Sequence, residues 1–369
     1  LDAHLHPTPV TVSIQHAANP LQMQQQQLMS DVAAAAADVN GLPMSASNLV
    51  NEQAVLRQAG RDAISAFLDG HNCYSVLRAS GKVVVFDTRI PIQLAFYALV
   101  EHDMQAAPLW DPTLCQFVGL LKVTDFLDIL RHCKTTNSNV ASLTTRSIAD
   151  IFQDASIREA VGTNFGFWSA DSSTTLKQAC KLLHEKKMDF LPIVMPEDMR
   201  VLACITYTNV LEHLVTHFRE NRRLFDDSIY DLRIGTYHDN LVTVGPTQTL
   251  AQALELMRLH NLGALPVVDA ETQKIIGVYS RSDITFLTRA TDAEDAVANL
   301  DLQLQDILQQ QRTDVTTPDA LHTCSTTHTL QAIFEYFAQL RFNRLYIVNE
   351  QDRLVGVVSA HDLVAYFLS

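Results

Sequence analysis

The feature that most constrains this chain is a segment that occurs four times, at residues 107–125, 191–209, 265–283 and 345–362. Each copy reads as an apolar strand, a polar turn, a second apolar strand and then a carboxylate or amide side chain. Successive copies are 84, 74 and 80 residues apart, counted from Pro108, Pro192, Pro266 and Tyr346. These periods are longer than those of solenoid repeats, so the repetition predicts four small duplicated domains.

Each copy predicts the element order strand, helix, strand, strand, helix. In the third copy LVTVGP (241–246) is a short strand closed by Gly-Pro, and an amphipathic helix follows it. ALPVVD and IIGVYS are then buried strands, and SDITFLTRA (282–290) is the second helix. A unit of roughly 50–60 residues barely buries an adequate core. We therefore expect the apolar helical faces to pair between adjacent repeats, one with two and three with four.

Composition and periodicity set the predicted boundaries of these repeats. The runs QMQQQQ and AAAAA predict disorder near the N-terminus, and helical patterns flank the first repeat and link the last two. The predicted divisions are a disordered segment 1–47, a helical extension 48–79, repeat one 80–137, repeat two 145–222, repeat three 232–291, a helical linker 292–314 and repeat four 315–369.

The charge balance narrows the classes of function. Basic residues number 27 and acidic residues 41, a net charge of −14, and 47% of the residues are hydrophobic. This argues against binding nucleic acid or an anionic membrane over a broad face, so any anion site has to be local. We expect no membrane span and no signal peptide. The six cysteines form no CxxC motif, which indicates reduced thiols in a cytosolic or nuclear protein.

The repeated pattern resembles the CBS domain, a β-α-β-β-α unit whose last strand ends in a glycine, a hydroxyl residue and an aspartate. Two such domains pair into a Bateman module with nucleotide sites in the cleft between them. Four in one chain, with stretches such as FVGLLKVTDFLDIL, DLRIGTYHDNLVTV and NLDLQLQDIL, resemble the gamma-subunit family of AMP-activated and SNF1-type protein kinases. The resemblance implies an α/β (α+β) fold of four CBS repeats in two Bateman modules.

The aspartate that ends a repeat suits the sugar of a nucleotide. One carboxylate can accept hydrogen bonds from both ribose hydroxyls, and the start of the following helix offers backbone N–H groups to a phosphate. Asp362 with Ser359 and Asp283 with Ser280 have this arrangement. The alternative is that each aspartate only caps its helix, since aspartate is a favoured capping residue.

The first two repeats depart from this pattern. Asp125 has Lys122 three residues before it, where a serine or threonine is expected, so its ribose and capping roles stay equally open. The second repeat keeps the hydroxyl as Thr206 but has Asn209 in place of the acid. The gamma family commonly has a basic residue there, which implies a non-standard second site.

Phosphate contacts are also altered relative to the gamma family, which places basic residues before the second strand of each repeat. Here Arg344 keeps that position, and neutral or acidic residues replace the others: Gln105, Asp189, Phe190 and Asn343. Thr208 likewise stands where a lysine is usual. The side chains that could compensate are Arg281, His361 and Arg341, each of which could equally be a solvated surface residue. Thr236 matches a nucleotide-contacting threonine of the family, or is a strand-edge hydroxyl. We therefore expect the most intact site in repeats three and four.

Two functions stay open. The resemblance implies a non-catalytic regulatory subunit without cofactors that binds AMP, ADP or ATP and assembles with a catalytic alpha subunit and a beta scaffold subunit. The alternative is a scaffold subunit of such a kinase that has largely lost nucleotide sensing. The family meets its beta subunit before the first repeat, which suggests 48–86 here. The sequence has none of the phosphate-loop, dinucleotide, zinc-protease or nucleophile-elbow motifs of enzymes.

Overall fold

The computed structural model describes residues 46–77, 83–162, 166–218, 225–284, 287, 290–310, 320–340 and 342–368. The chain divides into two compact units, Leu1–Val55 and Leu56–Ser369. The described part begins with helix α1, Ala46–Gly70, whose Ile64 and Leu68 are fully buried. The predicted disordered segment 1–47 lies outside the described residues except for its last two. All four repeats belong to the second unit.

Repeats one and two have the same topology. In each, a short strand pairs in parallel with the next strand, which pairs antiparallel with the third. The elements of repeat one are β1 Phe86–Asp87, α2 Ile92–Glu101, β2 Ala106–Asp111, β3 Gln116–Lys122 and α3 Val123–Thr136. Short helices then follow, α4 Val140–Thr144, α5 Ile148–Gln153 and α6 Ala155–Val161. The elements of repeat two are β4 Ala170–Asp171, α7 Leu176–Glu185, β5 Leu191–Val194, β6 Val201–Ile205 and α8 Tyr207–His217.

Repeat three has the same order of elements, but its predicted first strand is shortened and its predicted second helix differs at its start. Its elements are β7 Thr236–Tyr237, α9 Leu250–His260, β8 Ala264–Val268 and β9 Ile275–Ser280. The predicted strand 241–246 is reduced to one parallel bridge between Val244 and Val267, because Gly-Pro follows it at once. The predicted helix 282–290 is wrong at its start, since residues 281–284 form a turn and irregular backbone. Four of its other residues lie outside the described part.

Repeat four completes the set, and a strand of repeat three joins its sheet. Helices α10 Ala293–Ala298 and α11 Leu304–Gln310 lead into β10 Thr323–Ser325, α12 Leu330–Leu340, β11 Arg344–Val348, β12 Leu354–Ser359 and α13 Ala360–Leu368. The sheet order is β10-β11-β12-β7. The approach of β7 is close, because a Cβ at Gly235, where φ is +104°, would collide with the carbonyl oxygen of Val357. Repeats three and four are thus paired, and the pairing is made through their strands.

The helices pair differently from the strands. Helix α8 of repeat two packs on α12 and α13 of repeat four, and their side chains share one buried cluster. Helix α3 of repeat one contributes Leu127 to the core of repeat three, and α10 packs on α3. The prediction that apolar helical faces pair between adjacent repeats is therefore wrong. We call these contacts the one–three interface and the two–four interface.

The reason lies in how each repeat exposes apolar surface. A pair of strands has one face that is not covered and one edge with unpaired backbone groups. At that edge of repeat four, β12 pairs with β7 of repeat three. The helices cover the opposite face and need a second apolar layer to exclude water. Repeats one and two also touch, since the Phe117 and Phe167 rings stack with centroids 4.8 Å apart. Repeats three and four therefore meet through strands, whereas the one–three and two–four contacts are made through helices, and the predicted fold class is confirmed.

Candidate functional site

The strongest of the predicted sites is the first turn of α13, at the end of β12. The backbone N–H and the hydroxyl of Ser359 donate to Oδ2 of Asp362 at 2.8 and 2.7 Å, and the Asp362 N–H donates back to the Ser359 hydroxyl at 3.2 Å. This reciprocal capping fixes both side chains. Burial raises the pKa of Asp362, but hydrogen bonds from His361 and Ser359 outweigh it and lower that pKa overall. Asp362 is therefore an ionised, positioned carboxylate.

The equivalent turn of repeat one is closed to solvent. Oδ2 of Asp125 accepts from the Lys122 backbone N–H at 2.8 Å, but Lys122 has no hydroxyl to complete the pair. Asp125 is 1% exposed, and burial raises its pKa to about 6, against the opposing charge of Lys122. In this conformation a sugar hydroxyl has no route to the carboxylate. The structure therefore places Asp125 as a helix cap.

Repeat two uses an amide in the same position. Thr206 donates its backbone N–H and its hydroxyl to Oδ1 of Asn209, at 2.9 and 3.0 Å, and receives the Asn209 N–H at 3.3 Å. The geometry of the cap is thus the same as at Asp362, without its negative charge. The exchange of Asp for Asn preserves the fold of the turn and removes the charge-assisted acceptor.

Repeat three is not capped in this way. The hydroxyl of buried Ser280 lies 2.8 Å from the hydroxyl of Ser282 and donates to the Gly263 carbonyl at 3.4 Å. The Asp283 N–H donates to the backbone carbonyl of Ser280 at 3.0 Å. Because the backbone turns away here, Asp283 does not occupy the capping position that the sequence predicts.

The two–four interface brings the motif turns of repeats two and four face to face. The Thr208 hydroxyl donates to Oδ1 of Asn343 at 3.2 Å, and the Asn343 carbonyl accepts from the Ala360 N–H at 3.1 Å. Tyr207 meets His361 edge to face, with centroids 5.2 Å apart. Thr208 and Asn343, two of the residues that replace expected cations, thus form one uncharged contact beside Asp362.

The one–three interface holds charged groups instead. Arg281 forms an ion pair with Asp128 of α3 and donates to the Thr124 carbonyl at 3.4 Å. Arg131 reaches Glu255 of α9 at 2.9 Å, and Lys134 reaches Asp301 at 2.6 Å. Arg281 was predicted as a compensating phosphate contact, and the structure uses it between repeats.

Two other predicted residues lie near Asp362 along the strands. Arg344 opens β11 directly opposite Ser359 of β12, and its guanidinium packs against Gly263, where a Cβ would collide with it. Thr236 lies on β7 opposite Val357 of β12. Residues of β11 in repeat four and of β7 in repeat three therefore lie together at the end of β12, next to Ser359 and Asp362.

The remaining predicted residues are dispersed. Gln105 uses its backbone carbonyl to accept from Val123, Asp189 is exposed, and Phe190 is half-buried. Arg341 lies outside the described residues. Sequence reasoning missed His184, which contacts His361, and Asp128. Asp128 could have been found, because an acid three residues after Asp125 lies on the apolar face of the same helix and needs a buried partner.

Among the described residues no group of three or more histidine, cysteine or acidic side chains is arranged to hold a metal ion. Within the same ranges no helix is both long and apolar enough to cross a bilayer. All six cysteines are unpaired thiols, and four of them are buried.

Comparison with known proteins defines the class of this fold and site. The family model of the CBS domain matches residues 166–216, 234–288 and 313–369, which correspond to repeats two, three and four. A crystal structure of a Methanocaldococcus jannaschii protein, proposed as an archaeal homologue of the AMPK gamma subunit, superposes with a TM-score of 0.61 at 15% identity, covering 79% of this chain and 98% of that one. These three segments therefore match CBS domains, and the chain shares the fold of the archaeal protein.

Within that class the chain is similar to gamma subunits of 5′-AMP-activated protein kinase. The subunit of Dictyostelium discoideum is 31% identical over 323 residues, which are 85% of this chain and 54% of that protein. The human gamma-3 subunit is 29% identical over 315 residues, 84% of this chain and 61% of that protein. The chain thus spans little more than half the length of these relatives.

Proposed function

We propose that this chain is a non-catalytic, adenine-nucleotide-binding regulatory subunit of the gamma type in a heterotrimeric AMP-activated or SNF1-related protein kinase. In this role it couples occupancy by AMP, ADP or ATP to the activity of a catalytic alpha subunit, together with a beta scaffold subunit. The similarity to gamma subunits over 84–85% of the chain supports the proposal. The observation that carries it is the ionised carboxylate of Asp362 at the end of β12.

The capping bonds of Asp362 go to Oδ2, while Oδ1 lies 3.7 Å from Nδ1 of His361. A carboxylate oxygen can accept more than one hydrogen bond, so Oδ1 keeps capacity for a ligand hydroxyl. The N-terminus of α13 adds the positive end of a helix dipole for an anionic group. Thr236 and Arg344 are placed by β7 and β11 to contribute from the same strand end.

Regulation by such a site requires that the nucleotides differ in how well they bind the two states of the kinase. A ligand shifts a conformational equilibrium only by its difference in affinity for the two states. AMP and ATP differ in phosphate charge, and Asp189 and Thr208, which repeat two has where the gamma family has basic residues, supply no positive charge. We therefore expect the chain to favour nucleotides with the shorter phosphate tail.

Calorimetric titration of the purified heterotrimer with AMP, ADP and ATP tests the proposal. We expect saturable heat for AMP, and we expect Asp362→Ala to weaken it by at least about tenfold, because one charge-assisted hydrogen bond contributes roughly 1.5–3 kcal/mol. Asp125→Ala is the matched control, since that carboxylate is buried. Equal losses in both variants contradict the ranking of the sites, and no heat at millimolar nucleotide favours the scaffold function.

The proposed subunit lacks a catalytic role of its own and meets the beta subunit through the region 48–86. The unpaired cysteines are consistent with a reducing compartment, and we place the protein in the cytosol or the nucleus. A nucleotide-turnover assay on the chain alone checks that it has no catalytic role, with no hydrolysis as the expected result. Tyr74→Asp and Val85→Asp, at exposed side chains of the region 48–86, should weaken co-purification of the beta subunit.

A further inference from the structure

Two histidines meet across the two–four interface, beside the capping bonds of Ser359 and Asp362. His184 lies near the end of α7, and His361 is the second residue of α13. Nδ1 of His184 lies 3.0 Å from Nε2 of His361, and the two rings are stacked with planes 10° apart and centroids 5.1 Å apart. Both residues are exposed, so solvent protons reach them directly.

The short distance between the two ring nitrogens restricts which of them can carry a proton. A nitrogen–nitrogen distance of 3.0 Å is a hydrogen bond only when one nitrogen carries a proton and the other has a free lone pair. If each of the facing nitrogens carries a proton, two N–H groups point at each other. Where both rings carry two protons, they are cations at stacking distance, and like charges at that separation repel.

Side chains from the helices and segments packed around His361 affect the charge of its ring. Its own helix provides Asp362, whose Oδ1 lies 3.7 Å from Nδ1 of His361. The segment before β5 provides the carboxylate of Asp189, and α8 provides the buried Tyr207 ring. The hydrogen bond with Asp362 raises the pKa of His361, and Asp189 adds to that effect against burial. The carboxylate of Asp362 therefore favours the protonated form of His361, whose Nε2 can donate to His184.

We propose that His184 and His361 form a proton-sensitive clamp between repeats two and four, closed while their facing nitrogens share one proton and open when each carries its own. Near neutral pH His361 donates and His184 accepts, so α7 is tied to the first turn of α13. Acidification adds the second proton and separates the rings. This device goes beyond nucleotide binding, and it acts on the helix that carries Asp362.

Hydrogen exchange of the full-length chain at pH 7.5 and pH 5.0, corrected for the intrinsic pH dependence of exchange, tests the clamp. We expect peptides from α13 to exchange roughly fivefold faster at pH 5.0, the effect of losing one exposed polar contact. In His184→Gln the amide offers a donor and an acceptor without titrating, so the difference should disappear. His260→Gln, at an exposed histidine ending α9, is the matched control and should behave like wild type.

The clamp is overturned if wild-type α13 exchanges equally at both pH values, or if His184→Gln keeps the full difference. Nitrogen-15 spectra of labelled histidine side chains give a second readout that needs no variant. We expect one protonated and one unprotonated nitrogen at the contact at pH 7.5. Both nitrogens in the same state at that pH would contradict the proposal, whatever the nucleotide titration gives.

Discussion

The one–three and two–four interfaces both involve helices but differ in chemistry. Both join the ends of motif strands across helices that pack face to face. The first is held by charged pairs, with Arg281 on Asp128 and Arg131 on Glu255, whereas the second uses the uncharged pair of Thr208 and Asn343. An arginine that is committed to a buried aspartate is not available to a phosphate. The comparison therefore indicates that one interface has become structural, while the other keeps its polar groups near solvent.

The largest expected effect comes from the apolar core that the two–four interface shares. Phe337 of α12 is fully buried in the cluster that includes Leu211 and Phe367. Phe337→Ala should lower the free energy of unfolding by about 3–5 kcal/mol, because it removes a ring and leaves a cavity. Urea unfolding measured by circular dichroism checks this. Leu259→Ala, at an exposed residue of α9, is the control and should change the free energy of unfolding little. Equal losses in the two variants would show that Phe337 is not part of the core.

The charged interface should be nearly as sensitive. Asp128→Ala leaves Arg281 without its buried partner, which should cost about 3 kcal/mol. Lys134→Ala removes a pair whose partner Asp301 is exposed and should cost less than about 1 kcal/mol. Trp110 lies in repeat one and Trp168 in repeat two. The fluorescence of variants that keep only one of these tryptophans therefore reports the unfolding of each repeat separately. A similar fall in the urea midpoint for both substitutions would show that the Arg281 pair is not structural.

The buried acid of repeat one predicts a pH dependence. The folded pKa of Asp125 is raised to about 6, above its unfolded value, so the folded state binds more protons between about pH 4 and pH 6. Its contribution therefore destabilises the protein as the pH rises through that window. Asp125→Asn should be more stable than wild type at pH 7 by about 3 kcal/mol, and most of the difference should be lost by about pH 4. A constant difference across this range would mean that Asp125 is not buried as an acid.

The smallest effect is expected at the uncharged contact. Thr208→Val removes the hydrogen bond to Asn343 and keeps the shape of the side chain, so it should cost about 1 kcal/mol. Thr216→Val on the same helix removes only a bond to the Glu212 carbonyl on the surface and should be close to neutral. Thermal unfolding of the two variants makes this comparison. Greater destabilisation by Thr216→Val would show that Thr208 does not join the repeats.

The sequence predicted the repeats and their strand order because the spacing and alternation of apolar residues are local signals. The capping pair of Ser359 and Asp362 was also predictable, since three residues separate its members. The partners of the helices were not, because any apolar face can pack on another and the choice depends on all four repeats together. The pairs of Arg281 with Asp128 and of His184 with His361 join residues more than 150 positions apart, so no local pattern reports them.

A crystal structure of the heterotrimer with AMP tests the central claim most directly. The account predicts a nucleotide at the end of β12, with both ribose hydroxyls within hydrogen-bonding distance of the Asp362 carboxylate and its phosphate toward the N-terminus of α13. A crevice filled by the protein's own side chains at millimolar AMP, or a nucleotide bound far from Asp362, would contradict it.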